Sequence, residues 1–219
     1  MGMCIEILVL KCIIIALREE PMKTKKGEKE RLRTVILDKA VQFLKRHGRV
    51  GSGTNQMMKH AGLTRGALYS HFKSKDDLFA QAICHDLSRL EETLAQRFRD
   101  EGGAAIKRMI EDHLSEKSLT DVEESCAFTS LSSDMQRCKP AHRALYEDYM
   151  VRIYALFADA LKQQFPDDPP EESQAKATNL YSGLVGTLTM ARTMKDPQRA
   201  REILEAGKRF LIRTFVPKP

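Results

Sequence analysis

At 219 residues and 24.9 kDa, with 42% hydrophobic and 30% charged residues, the chain suits one or two domains around a real core; collagen-like and wholly disordered chains are excluded. Trp is absent, aromatics reach only 6%, and β-branched alternation is rare, so helices are expected and a sandwich or barrel is disfavoured. The formal net charge of +6 is uneven: residues 22–80 hold 14 Lys and Arg against 5 Asp and Glu, whereas residues 81–219 hold 20 against 22. One basic module facing a polyanion is expected, with a solvated lysine-rich surface as the alternative.

In chain order, Met3 to Leu17 is apolar but interrupted by Glu6 and Lys11 and closed by Arg18-Glu19-Glu20-Pro21. That run is shorter than the ~20 residues of a membrane span. It has neither the leading positive charge nor the small-residue cleavage site of a signal peptide. Residues 1–21 therefore read as a mis-called extension ahead of a natural start at Met22, and a cytoplasmic location is expected. Cys4, Cys12, Cys84, Cys126 and Cys138 form no Cys-x-x-Cys pair, which fits a reduced protein without a disulfide framework.

From Glu30 to His47, Leu32, Val35, Ile36, Ala40, Phe43 and Leu44 recur at helical spacing, and Gly48 reads as the C-terminal cap. Thr54 is placed to cap a short helix through His60 that buries Met57 and Met58. Ala61-Gly62-Leu63 turns the chain, and Thr64 is placed to cap a helix from Arg65 to Phe72. Two short helices about a glycine turn give helix-turn-helix geometry. Ser74 opens a long helix with Leu78, Phe79, Ala82, Ile83, Leu87, Leu90 and Leu94 inward. Further helices are expected over 103–116, 121–134, 140–165, 171–194 and 197–215, with Pro140 and Pro197 in first turns and Asp196 as a cap.

The chemistry concentrates in residues 54–78. Leu68 and Phe72, four apart, pack inward and leave Arg65, Gly66, Tyr69 and Ser70 on the outer side. Gly66 clears a helix N-terminus for close approach to phosphate or a base edge. Tyr69 and His71 suit phosphate hydrogen bonds, Arg65 suits a guanine edge or a phosphate, and Lys73 and Lys75 extend the cationic surface.

The order Thr54, then Ala61-Gly62-x-Thr64-x-Gly66-x-Leu68-Tyr69-x-His71-Phe72-x-Ser74-Lys75-x-x-Leu78, resembles the signature of TetR-family transcriptional regulators. The resemblance covers about residues 29–80. It implies an all-α fold: an N-terminal three-helix helix-turn-helix domain over residues 22–80, then a C-terminal helical ligand-binding and dimerisation domain over 81–219. A homodimer is implied whose affinity for double-stranded operator DNA a small molecule controls. By position it marks Thr54, Thr64, Arg65, Gly66, Tyr69, His71 and Lys75 as DNA contacts. Met57-Met58 departs from the family's usual Ile-Ala pair, a matter of packing.

A stripe of Gly183, Gly186, Thr187 and Met190, with Leu204 and Leu211 on the last helix, permits close helix pairing and supplies dimer-interface candidates; packing within one protomer is the alternative. Phe128, Tyr146, Tyr149, Met150, Ile153, Tyr154, Phe157 and Tyr181 are candidates to line an effector cavity, with plain core as the alternative. Ser125-Cys126-Ala127-Phe128-Thr129 followed by Cys138 is similar to the sensory-helix region of an electrophile-responsive member of that family, which makes Cys126 the thiol-sensor candidate, against a buried inert Cys. No catalytic triad, phosphate loop or metal-ligand cluster stands out, so no enzyme, cofactor or metal site is expected. The competing class is a helical ligand-binding protein whose basic end meets anionic membrane surfaces, which leaves the order from Thr64 to Lys75 without a purpose.

Overall fold

The computed structural model describes residues 26–51 and 53–217, and every regular element among them is helical. The expected extension over residues 1–21 lies outside the described residues. The helices are α1 (Lys26–Gly51), α2 (Thr54–His60), α3 (Arg65–His71), α4 (Lys75–Glu101), α5 (Ala105–His113), α6 (Glu116–Thr120), α7 (Ala127–Gln136), α8 (Pro140–Gln164), α9 (Pro170–Arg192) and α10 (Pro197–Phe215), with a 3₁₀ turn over Gly102–Ala104. Residues from Val35 onward form one compact unit, with the described residues up to Thr34 outside it. The boundary expected at residue 80 therefore falls within α4, inside the larger unit.

Local chemistry sets the element ends. Gly48 takes φ 67° and ψ 172°, so regular helix stops there, with one further turn to Gly51. Gly62, at φ 70°, occupies the left-handed region that strains any side chain, and its N–H donates to the Lys59 carbonyl while Leu63 donates to that of Met58. Gly53, not Thr54, occupies the cap position of α2. Thr64 does cap α3 by accepting from the Ala67 N–H, and Ser74 caps α4 by accepting from that of Asp77. Asp77 in turn accepts from the Lys73 N–H at 2.8 Å.

Two stretches depart from the sequence expectation. Over 121–134 a single helix gives way to a turn followed by α7. There Asp121 Oδ1 accepts from the Glu124 N–H and the Ser125 hydroxyl donates to the Val122 carbonyl, so side chains divert the backbone from helix. The helix expected over 103–116 starts only at Ala105 and ends at His113. In α1, Val35 is 49% exposed, and Leu37 and Val41 share the inner face with Ile36, Ala40 and Leu44.

Helices α4, α5, α8, α9 and α10 enclose one core that includes Leu94, Ile106, Ile110, Phe157, Leu180 and Leu204. Burying each such side chain contributes about 1.5–3 kcal/mol. Glycine sets the approach of α9 to α10: a Cβ at Gly207 would lie 2.4 Å from Thr187 Cγ2, and one at Gly183 would lie 2.8 Å from Leu211 Cδ2. Four of the six dimer candidates, Gly183, Thr187, Leu204 and Leu211, are thus engaged within the protomer. Gly186 faces open space and Met190 is 56% exposed. No helix among the described residues is long and apolar enough to cross a membrane.

Candidate functional site

The helix-turn-helix face follows from the period of α3. Leu68 and Phe72 are buried against the core that includes Met57 and Met58, which turns Gly66, Tyr69 and Ser70 outward. Tyr69 and Lys73 are exposed on this face, whereas the Ser70 hydroxyl donates to the Ala67 carbonyl at 2.7 Å. His71 is half-buried at the end of α3. Lys75 is not simply a projecting cation: its Nζ donates to the Arg49 carbonyl at 3.1 Å and so ties α4 to the end of α1. Arg49 pairs with Asp76 at 2.7 Å and lies over the Phe79 ring, and its guanidinium holds the Asp76 carboxyl below the usual carboxylate range. The backbone of residues 54–65 places Thr54 at the start of α2 and Arg65 at the start of α3.

The second feature is a cavity of about 340 Å³ walled by α1, α4, α5, α6, α8, α9 and the turn before α7. Of the effector candidates, Cys126, Phe157 and Tyr181 line it. The Cys126 sulfur lies 3.4 Å from the Tyr181 hydroxyl, and Phe128, Tyr154 and Phe157 surround the Tyr181 ring with centroids 5.5–6.1 Å away. Ile153 belongs to the same core, with Met150 packed against it. Tyr146 goes elsewhere, with its hydroxyl 3.9 Å from the Cys138 sulfur, and Tyr149 lies beneath the Arg152 guanidinium.

Burial pushes the Cys126 thiol up, against the pull of the Tyr181 hydrogen bond, so the thiol form dominates at neutral pH. Ser125 and Thr129, the hydroxyl residues nearest Cys126 in sequence, do not supply that hydrogen bond. Ser125 donates to a backbone carbonyl, and the buried Thr129 hydroxyl has no hydrogen-bond partner.

The sequence reading missed several groups around the cavity. Buried Lys45 pairs with Asp86 at 2.8 Å, and Asp38 accepts from Arg89 at 2.9 Å with His85 beside it. His113 lines the cavity with a ring whose buried Nε2 has no hydrogen-bond partner. Burial, reinforced by the Arg192 charge, pulls this imidazole down to about 4 and keeps it neutral at pH 7. From α1, Gln42 donates to Glu124 at 2.6 Å, Arg46 pairs with Glu123 at 2.5 Å, and the Arg49 N–H donates to Asp134 at 3.0 Å. These partners lie tens of residues apart, and only Lys45, a cation beside the apolar face of α1, carried a trace in the sequence. No group of three potential metal ligands occurs among the described residues.

Residues 36–82 match the family model described as "Bacterial regulatory proteins, tetR family". The chain is 42% identical over 56 residues to the HTH-type transcriptional regulator AcrR of Shigella flexneri, a match that spans 26% of each chain. It is 23% identical over 174 residues to the HTH-type transcriptional regulator LmrA of Bacillus subtilis strain 168, covering 75% of this chain and 88% of that regulator. The reduced form of E. coli NemR shares the fold with a TM-score of 0.71 and 19% identity, over 86% of this chain and 98% of that one.

Proposed function

The chain belongs to the TetR family of bacterial regulatory proteins, and from that premise we propose that it is a DNA-binding transcriptional repressor, a homodimer released from its operator by a small molecule. The observation that carries this reading is α3: a Thr64-capped helix seated on Leu68 and Phe72, with Gly66, Tyr69 and Lys73 turned outward. Its N-terminal N–H groups and positive end suit phosphate, and its outer side chains suit the major groove. Thr54, Arg65, Ser70, His71 and Lys75 complete the proposed contact set, with Lys75 also supporting α1. Gly186 and Met190 form the proposed centre of the dimer interface, joined by exposed Phe210. No catalytic role is proposed, and a cytoplasmic location goes with the proposed operator binding.

The cavity that holds Cys126 and Tyr181 is the proposed effector site, and the resemblance of its Cys126 segment to an electrophile sensor favours thiol-reactive compounds among its effectors. Because Cys126 lines the cavity, such a compound must enter it to react. Gel retardation with the DNA upstream of the chain's own gene tests the regulator. A shifted band that survives excess random DNA is expected, and only non-specific retardation would contradict it. For the sensor, an electrophile should release wild type and Cys138→Ser but not Cys126→Ser; release of Cys126→Ser would discard the thiol route and leave a reversible ligand.

A further inference from the structure

The charges around the cavity are already spoken for. Lys45 is held by Asp86, Arg89 by Asp38, Arg97 by Asp112 and Glu123 by Arg46, while Glu124 accepts from the Gln42 amide. An ionic ligand must break one of these contacts or leave its own charge poorly solvated beside a closed pair, and both cost free energy. The remaining wall is apolar over Leu90, Leu94, Met109, Phe157 and Leu184, and its hydroxyl and thiol groups are engaged: Thr93, Ser118 and Ser125 donate to backbone carbonyls, and Cys126 meets the Tyr181 hydroxyl. One side chain stands apart from these contacts: His113 lines the cavity, and its Nε2, shielded from solvent, lacks a partner, so a ligand must turn or displace the ring slightly to reach it. A neutral ring of this kind completes a hydrogen bond with an uncharged hydroxyl or carbonyl at no ionic cost.

We infer that the cavity takes an uncharged, mainly apolar small molecule with one hydrogen-bonding group recognised by His113, and that this ligand lies directly against α1 of the DNA-binding module. The inference rests on the proposed effector role of the cavity and adds the ligand's class and its point of action. Val41, Gln42 and Lys45 of α1 are themselves cavity wall, and Gln42 also holds Glu124. A ligand that fills the cavity therefore presses on the helix supporting α2 and α3, without needing to act through the length of α4. It shifts operator affinity to the extent that it favours one arrangement of α1.

The test uses three probes on one ring system: 1-naphthol, 1-naphthoate and 1-naphthylmethylammonium. Each is titrated into the full chain at pH 7 by calorimetry, with thermal unfolding as a second readout. Naphthol should bind roughly tenfold tighter than either ion, and His113→Phe should lose roughly tenfold in naphthol affinity, one hydrogen bond's worth. His113→Gln, which keeps a hydrogen-bonding side chain, should stay within roughly threefold of wild type. Equal or tighter binding of either ion, no binding of naphthol, or unchanged naphthol affinity in a cooperatively melting His113→Phe would overturn the inference. Should His113→Phe fail to fold, the wild-type ranking of the three probes decides. Gel retardation on the same wild-type sample separates the two levels: specific DNA binding without naphthol binding discards only the ligand class, whereas loss of specific DNA binding discards the regulator.

Discussion

Gly66 sits in the first turn of α3 with room for a side chain, since a Cβ there would meet only Thr64 Oγ1, at an ordinary 3.8 Å. Nothing among the described residues requires glycine at this position, and alanine in a helix is favoured by about 1 kcal/mol. Gly66→Ala is thus expected to raise the melting temperature slightly and yet weaken operator binding, as the added methyl meets the DNA. Paired melting and gel-retardation measurements check this, and unchanged operator affinity would remove Gly66 from the interface. Gly207 makes the opposite case. Its Cβ would strike the Thr187 side chain, so Gly207→Ala should destabilise by roughly 1–3 kcal/mol, read from denaturant unfolding. At this scale the outward-facing side of α3 was legible in the sequence because Thr64, Leu68 and Phe72 act through spacings of three and four. The cavity set was not. His113 acquires its neutral state from burial and from Arg192, a group on another helix, and no local pattern records that.

Helix α1 does more than complete the three-helix module. Its outer face is fastened to the turn and helix that carry Cys126: Gln42 and Arg46 hold Glu124 and Glu123 at one end, and the Arg49 N–H holds Asp134 at the other. An exposed ion pair adds at most about 1 kcal/mol to stability, so its value here lies in orientation. Arg46→Glu and Glu123→Arg are each expected to weaken operator binding several-fold, and the double exchange to restore it. The Glu123→Arg result is diagnostic because added positive charge alone would strengthen binding to DNA. Failure of the double exchange to rescue would show that the contact plays no part in presenting α3. The sequence placed most long helices within a few residues, since apolar periodicity and first-turn prolines are local signals. It joined 121–134 into one helix because the Asp121 and Ser125 side-chain bonds that open the turn compete with helix without altering the apolar pattern.

For the whole molecule, the small-residue stripe on α9 divides by function. Gly183 and Thr187 close α9 onto α10, while Gly186 and Met190 stay open to solvent, as the proposed dimer interface requires. Gly186→Arg should therefore leave the protomer folded but sediment as a monomer; a dimer of unchanged affinity would place the interface elsewhere. Two-fold symmetry would set two α3 helices against successive major grooves, roughly 34–36 Å or a multiple apart. Selection of DNA from a random pool by the full chain tests this arrangement most directly. The predicted result is enrichment of an inverted repeat whose half-sites are separated by whole helical turns. Retention of DNA with no shared sequence, or of a single unrepeated site, would contradict it.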